Sequence, residues 1–480
     1  MNRNNIWIHI GLAVVLITLA AVLGQLGRWQ GSLRTARTTE DKVLKAQAPS
    51  APERPLEADE AEVLVRFKPG VSLDRIRSIA SGNHDRLEDE IESVDGLVAI
   101  DDLDDADPQA VAAQYNSLTG LVAYAEPNFK INLDDPARPG LLPQDLVHRP
   151  YYDPQMPNDP QFEEQWALNN LGKNGGKTGA DLSALKAWAK TQGSREVVVA
   201  VLDTGIDYTH KDLVANMWAR PDSVPEYTDD ELGTFDDIHG FDADATAGDP
   251  MDDNGHGTHC AGIIGAEGDN DEGIAGINWK VEIMPLKFLG RGGFGTTKNA
   301  IEAINYAIDR KKHGVNLRVI NASWGSTQYS RALEDAIRAA GDEGILFVAA
   351  AGNNAGDNDR RAHYPSNFDL PNVISVAALD RSDSLASFSN YGLKSVHIAA
   401  PGRDILSTWL GDEYREASGT SMAAPQVSGV AALIISKDPK LSIAKLRERL
   451  LASVDKIDTL AGKTATGGRL NAAKALGITE

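Results

Sequence analysis

Short apolar runs rich in β-branched residues alternate with amphipathic stretches from about residue 158 to the end of the chain, and this alternation narrows the fold more than any other feature. The runs VVVAVLD (197–203), LRVINASW (317–324), ILFVAAAG (345–352) and NVISVAAL (372–379) are too uniformly apolar for half-exposed strands. They read as strands of a parallel sheet buried on both faces. Residues 296–314 and 330–344 lie between them; each begins at Thr or Ser, carries apolar residues at helical spacing and stops at Gly. The prediction is an α/β fold, a doubly wound parallel sheet with helices on both faces, over 158–480. Ligands of such sheets sit beyond the carboxyl ends of the strands. No internal repeat is present.

The chain ahead of this body divides into four parts. Residues 6–24 form an apolar run that follows Arg3 and contains no formal charge. With its flanks (1–30) it reads as a signal peptide or an N-terminal membrane anchor. Residues 31–58, with Pro49, Pro52 and Pro55 among scattered charges, read as a linker. Residues 59–133 regain periodicity: strands at 62–70, 97–101 and 121–128, helices at 73–80 and 107–118, a small α+β unit. Residues 134–157 read as a second linker, the stretch 131–157 holding six prolines.

Charge bears on partners. The 480 residues carry 47 Lys and Arg against 69 Asp and Glu, a formal net charge of −22, which excludes a surface built to track nucleic-acid phosphates. A single cysteine, Cys260, excludes an intramolecular disulfide framework. Within residues 221–279 there are 16 acidic residues and no Lys or Arg. An island of that density is either a solvated loop or a site for a hard cation.

Four glycine-punctuated motifs fall where the predicted architecture exposes side chains. VVVAVLDTGID (197–207) places Asp203 at the carboxyl edge of the sheet. DNGHGTHCAGIIG (253–265) places His256 at the start of a helix that packs through Gly and Ala. GTSMAAPQVSGVAALI (419–434) places Ser421 in the first turn of an apolar helix, beside backbone N–H groups that have no helical partner. AAAGNN (349–354) follows a strand and presents Asn353. A serine is a weak nucleophile until an imidazole takes its proton, and the imidazole needs a carboxylate to fix its tautomer. An amide such as Asn353, with the Ser421 N–H, would donate to the oxyanion of a tetrahedral intermediate.

Together DTGID, HGTHCAG, AAAGN and GTSMAAP resemble the subtilisin-like serine proteases, in which Asp, His and Ser follow in this order; the resemblance covers about 158–480. It implies a serine endopeptidase acting through an acyl-enzyme, with Asp203 orienting, His256 as base then acid, Ser421 as nucleophile and Asn353 completing the oxyanion hole. It also implies that peptide or protein substrates bind as an added strand, along Leu289, Gly290, Gly292 and Gly293 on one side and Ser323, Trp324 and Gly325 on the other. Ala350, Ala351 and Gly352 would wall the S1 pocket and His363 would lie at its floor, giving a preference for medium apolar P1 residues. Trp324 lines the groove or belongs to the core. His210, His259 and Cys260 are expected to be structural.

The 59–133 unit, ending YAEPN, resembles the inhibitor-type propeptides of this family. The chain is thus expected to be a self-processing precursor whose propeptide is its own intramolecular inhibitor. Its new N-terminus would lie between 131 and 158, and the product would be extracytoplasmic, secreted or membrane-held through residues 6–24. Structural calcium is a further implication: Asp212 matches a family ligand, and the loop 265–273 offers Asp269, Asn270 and Asp271. No organic cofactor is expected. The alternative reading is a catalytically silent scaffold of the same fold that binds proteins.

Overall fold

The computed structural model describes residues 63–133, 140–141, 156–229 and 231–478. The expected export or anchor segment, the first linker and most of the second fall outside these residues. Among the described residues no helix is long and apolar enough to cross a membrane.

The N-terminal domain contains β1 (Val63–Phe67), α1 (Leu73–Gly82), β2 (Asp85–Glu90), β3 (Leu97–Asp102), α2 (Pro108–Ser117) and β4 (Val122–Pro127). The strands form an antiparallel sheet in the order β2-β3-β1-β4. Ser72 and Asp107 cap the two helices through their side chains. Alternation along β1 sends Val63, Val65 and Phe67 into a small core beneath the helices, with Ile76, Val111 and Tyr115. Leu64 faces the other way, into a core shared with the larger body. The sequence pattern does not reveal β2, DRLEDE, because the side chains it buries include Asp85 and Asp89 rather than apolar groups.

Two short strands follow, β5 (Lys130–Asn132) and β6 (Gly140–Leu141). The larger body then runs β7 (Gly193–Asp203), the hairpin β8–β9 (Tyr227–Asp229, Gly233–Phe235), β10 (Phe241–Asp242), α3 (His256–Gly265), β11 (Lys280–Lys287) and β12 (Phe294–Thr296). It continues through α4 (Thr297–Lys312), β13 (Leu317–Ala322), α5 (Arg331–Asp342), β14 (Leu346–Ala350), β15 (Val373–Leu379) and β16 (Ile398–Pro401). The hairpin β17–β18 (Ile405–Trp409, Glu413–Ala417), α6 (Thr420–Lys437), α7 (Ile443–Ala452), β19 (Val454–Lys456) and β20 (Gly468–Leu470) complete it.

Nine strands form the main sheet in the order β10-β11-β7-β13-β14-β15-β16-β20-β19. Every pairing is parallel except β19 with β20. The central strand β7 divides its side chains between two cores: Val197, Val199 and Val201 pack under α3 and α6, whereas Val198, Ala200 and Leu202 pack under α4 and α5. Thr296 and Ser330 cap α4 and α5 through their side chains. This is the sheet covered on both faces that the alternation predicts.

The acidic window is divided, with most of its described carboxylates exposed or partly exposed and four turned inward. Asp229, Asp237, Asp242 and Asp252 are all buried. Asp237 pairs with Arg220 at 2.9 Å and Arg310 at 3.0 Å and accepts from the Tyr306 hydroxyl. Asp252 accepts from the amides of Asn254, Gly255 and Thr258 and from the hydroxyls of Thr204 and Thr258. These carboxylates serve as internal hydrogen-bond acceptors that shape turns, a third use beside the two expected.

The N-terminal domain grips the body at the first turns of α4 and α5. The Glu126 carboxylate accepts from the Ser330 hydroxyl and from the amides of Arg331 and Ala332. Asn128 Oδ1 accepts from the Lys298 amide at 2.9 Å, and the Phe129 carbonyl from the Thr297 amide at 2.8 Å. Arg66 reaches Asp335 at 2.6 Å. Beyond this grip β5 pairs antiparallel with β12, Asn132 forms a bridge with Gly325, and β6 pairs with β18.

Candidate active site

Asp203 ends β7 and is fully buried. Its Oδ1 accepts from the Thr204 amide at 2.8 Å and from His256 Nδ1 at 2.7 Å. The second bond requires the proton on Nδ1, so Nε2 is the nitrogen that can accept one from a nucleophile. His256 is the first residue of α3. Gly255 precedes it at φ +107°, and a Cβ there would lie 2.4 Å from the Trp409 ring, so only glycine fits. Thr204 ties the two motifs together: its hydroxyl donates to Asp252 and accepts from the Gly257 amide, each at 2.9 Å.

Ser421 lies in the first turn of α6. Its hydroxyl donates to the Ser323 carbonyl at 3.0 Å, and the Ser323 hydroxyl donates back to the Ser421 carbonyl at 2.7 Å. Cys260, one turn after His256, directs its thiol to that same carbonyl at 3.5 Å. Its sulfur, a His256 nitrogen and an Asp203 oxygen lie within 4.8 Å of one another. The first turns of α3 and α6 are thus brought together with the end of β7 at the carboxyl edge of the sheet.

Asn353 follows β14. Its Oδ1 accepts from the Thr420 amide at 2.8 Å and from the Thr420 hydroxyl at 3.1 Å. With the oxygen so engaged, the amide nitrogen is the donor that this side chain presents. The Thr420 hydroxyl also accepts from the Gly352 amide at 3.0 Å, which couples the strand end to the first turn of α6.

Part of the chain itself runs along the two segments expected to line the groove. Residues 130–133 of the chain lie between them: Ile131 is opposite Gly295, Asn132 is opposite both Phe294 and Gly325, and the Leu133 amide donates to the Gly293 carbonyl at 2.8 Å. Gly293 has φ +74°, and the Gly293 amide closes a turn onto the Gly290 carbonyl at 2.8 Å. Gly292 is exposed in the same turn. Leu289 is fully buried, in the same core as Ile131.

Trp324 resolves to the core. It is 1 % exposed, donates its indole N–H to the Leu202 carbonyl at 2.9 Å and packs on Phe288 with ring centroids 4.8 Å apart. A tryptophan on a buried strand end satisfies its single donor inward, which no pattern of neighbours announces. Ala350 and Ala351 also bury their side chains, in separate cores. His363 is buried; Cβ atoms added to Gly325 and Gly352 would fall 2.0 Å and 3.0 Å from its ring. The imidazole is therefore wedged between the two walls.

Near α3 a second acidic site emerges. Asp212 is fully buried; it accepts from Asn270 Nδ2 and from the Ile274 amide, each at 3.0 Å, and so receives amides rather than cations. The carboxylate buried beside it is Asp159, which accepts from the Asp269 amide at 2.8 Å. Burial, reinforced by the Asp212 charge, pushes Asp159 up to about 8; burial pushes Asp212 up to about 7. Asp269 and Asp271 are exposed at φ +63°. The sequence reading misses Asp159 because it stands in the proline-rich approach to the body, apart from any motif. His210 and His259 are interior and bonded to backbone carbonyls, and Cys260 is buried.

Residues 194–474 match the Subtilase family, Peptidase S8. The chain is 34 % identical over 425 residues to the thermophilic serine proteinase of Bacillus sp. (strain AK1), covering 87 % of each chain. It is 36 % identical over 320 residues to thermitase of Thermoactinomyces vulgaris, covering 67 % of this chain and 99 % of that one. Among solved structures it resembles fervidolysin from Fervidobacterium pennivorans, described as a keratinolytic enzyme related to subtilisin, with a TM-score of 0.67 and 25 % identity over 88 % of this chain and 62 % of that one. With Asp203 paired to His256 at the edge of a nine-stranded sheet, the chain belongs to the subtilase family and is a subtilisin-like serine endopeptidase.

Proposed function

We propose that this endopeptidase is made as a precursor that cuts its own chain between Leu133 and Gly140, after which residues up to the cut act as its inhibitor. The observation that carries the reading is the strand Lys130–Asn132 lying between β12 and Gly325, where a substrate strand belongs. On the far side Gly140 and Leu141 pair with Glu416 and Arg415, so the chain is held on both sides of a short intervening stretch.

In the reaction Ser421 releases the Ser323 carbonyl and attacks the scissile carbon while Nε2 of His256 takes its proton. Asp203 holds the imidazole in the required tautomer and stabilises its cation. The oxyanion receives the Asn353 amide and the Ser421 N–H at the positive end of α6. His256 then gives its proton to the leaving amine, the C–N bond breaks, and water repeats the sequence on the acyl-enzyme. The imidazole of His363 at the floor of the S1 pocket keeps it shallow, which favours medium apolar P1 residues.

Two buried carboxylates, Asp159 and Asp212, would offer oxygen ligands to calcium once Asp212 gives up the amides it now accepts. The ion would supply positive charge and tie the segment ahead of the body to the loop after α3. Residues 6–24 supply export or anchoring, so the protease acts outside the cytoplasm.

The test is the Ser421→Ala chain, which should accumulate at full precursor length, while mass spectrometry of the unaltered protein should place the new N-terminus between 134 and 140. Normal processing of Ser421→Ala, or no labelling of Ser421 by a fluorophosphonate, would overturn the proposal.

A further inference from the structure

The contact between the N-terminal domain and the body contains a concentration of acid that catalysis does not use. Glu88 and Asp89 come from β2, Glu92 from the turn after it, Asp229 and Glu231 from the β8–β9 hairpin, and Glu302 from α4. Lys298 stands at one flank, 3.3 Å from Glu88 and 3.7 Å from Asp89. Arg77 stands at the other, 3.0 Å from Glu231. Six carboxylates therefore face two cations, and full ionisation would leave four uncompensated negative charges in a contact where Asp89, Asp229 and Glu302 are buried.

The oxygens converge. Asp89, Asp229 and Glu231 each place one carboxylate oxygen so that the three lie within 4.8 Å of one another. That span is about twice a calcium–oxygen bond of ~2.4 Å. Asp229 is already oriented: its Oδ1 accepts from the amides of Glu231 and Leu232, at 3.0 and 2.7 Å. Asp89 is fully buried, and neither of its oxygens receives a hydrogen bond. The second oxygen of Glu231, Oε2, is buried and likewise without a donor.

Glu302 is the independent witness. It is 2 % exposed, neither of its oxygens has a hydrogen-bond donor, and its carboxylate faces that of Asp89. A buried acid aimed at another buried acid without a donor calls for positive charge at that point, and the single ammonium of Lys298 is shared among Glu88, Asp89 and Glu302.

We propose that these groups bind one divalent cation, calcium by the hardness of an all-carboxylate donor set, which joins Asp89 of the N-terminal domain to Asp229 and Glu231 of the body. Glu302 completes the negative field behind it. This site is distinct from the one at Asp159 and Asp212, and it exists only while the two parts are in contact. Calcium then sets how firmly residues 63–133 are held. Neither the cut nor the inhibition is needed for the ion to bind.

The experiment counts calcium ions per chain by equilibrium dialysis in the Ser421→Ala protein, with the intact mass verified. Asp89→Asn in that background should lose one ion, and Glu231→Gln, at a less buried position, should lose the same ion. Combining Asp89→Asn with Asp212→Asn should lose one ion more than Asp212→Asn does. An unchanged count in both Asp89→Asn and Glu231→Gln overturns the proposal, and a melting temperature that then rises on acidification would assign the neutralising charge to a proton shared by Asp89 and Glu302. Because the Ser421→Ala chain has no nucleophile, the ion count is independent of whether the processing proposal holds.

Discussion

The carboxylate of Glu126 accepts the hydroxyl hydrogen of Ser330 at 2.6 Å and, through the same group, the amides that open α5 at 2.9 and 3.1 Å. One side chain of the N-terminal domain thus serves the positive end of a helix in the body. Charge-assisted caps of this kind contribute about 1–2 kcal/mol. Glu126→Ala should loosen the domain roughly 5–30-fold, by that same energy, and shorten the lag before proteolytic activity appears. An unchanged lag would show that the cap does not limit release.

Asn353 is oriented by Thr420, which holds its oxygen. Asn353→Ala should lower kcat by about 10²–10³, a magnitude taken from subtilisin, with KM little changed. Thr420→Val keeps the backbone contact but loses the hydroxyl, so its loss should be smaller and of the same type. Equal effects on KM and kcat in either variant would contradict an oxyanion role.

His363 occupies the space between Gly325 and Gly352. His363→Gly should deepen the pocket and move the P1 profile of a peptide library from medium apolar residues towards large aromatic ones. A profile dominated by Lys or Arg, or by Asp or Glu, in the unaltered enzyme would refute the apolar preference.

Removing calcium should lower the melting temperature by several degrees, because an ion bound only by the folded state stabilises it by mass action. Asp159→Asn should show a smaller calcium-dependent shift than the unaltered chain. A melting curve indifferent to chelator would overturn the calcium proposal.

His397 titrates in the acid range. Burial first, then the Arg447 charge, bring it down to about 4, and its Nδ1 accepts from the Ser375 amide at 2.9 Å, which requires the neutral ring. The folded state therefore holds fewer protons than the unfolded state, whose histidine titrates near 6.5. Its contribution is present above about pH 6.5 and is lost as the pH falls towards 4. Melting temperatures measured across that window should fall with acidification, and less steeply in His397→Gln.

Much of this molecule is legible in its sequence. The strands that read as buried are buried, because their apolar runs have no polar face to hide. Asp203 and His256 are paired as their motifs imply. What resists reading is acid that folds inward. Asp85 and Asp89 stand where a strand pattern calls for apolar residues, so β2 is invisible until its neighbours are known. Asp159 gains its meaning only from Asp212, far along the chain. Trp324 sits beside a groove yet bonds inward to Leu202, a choice fixed by the Phe288 ring and not by flanking residues.

The core shared by Leu64, Ile91, Leu97 and Tyr124 with α4 and α5 has a consequence for the lifetime of the enzyme. A central parallel sheet gathers residues distant in sequence and forms slowly. Here a small appendage with its own sheet and core supplies a ready surface on which two of the covering helices can settle. A chain cut beyond Leu133 and stripped of that surface would face the full barrier when unfolded, so each molecule would fold once and work until it first opens. Its endurance is then a rate of unfolding rather than an equilibrium, and selection would act on the height of that barrier.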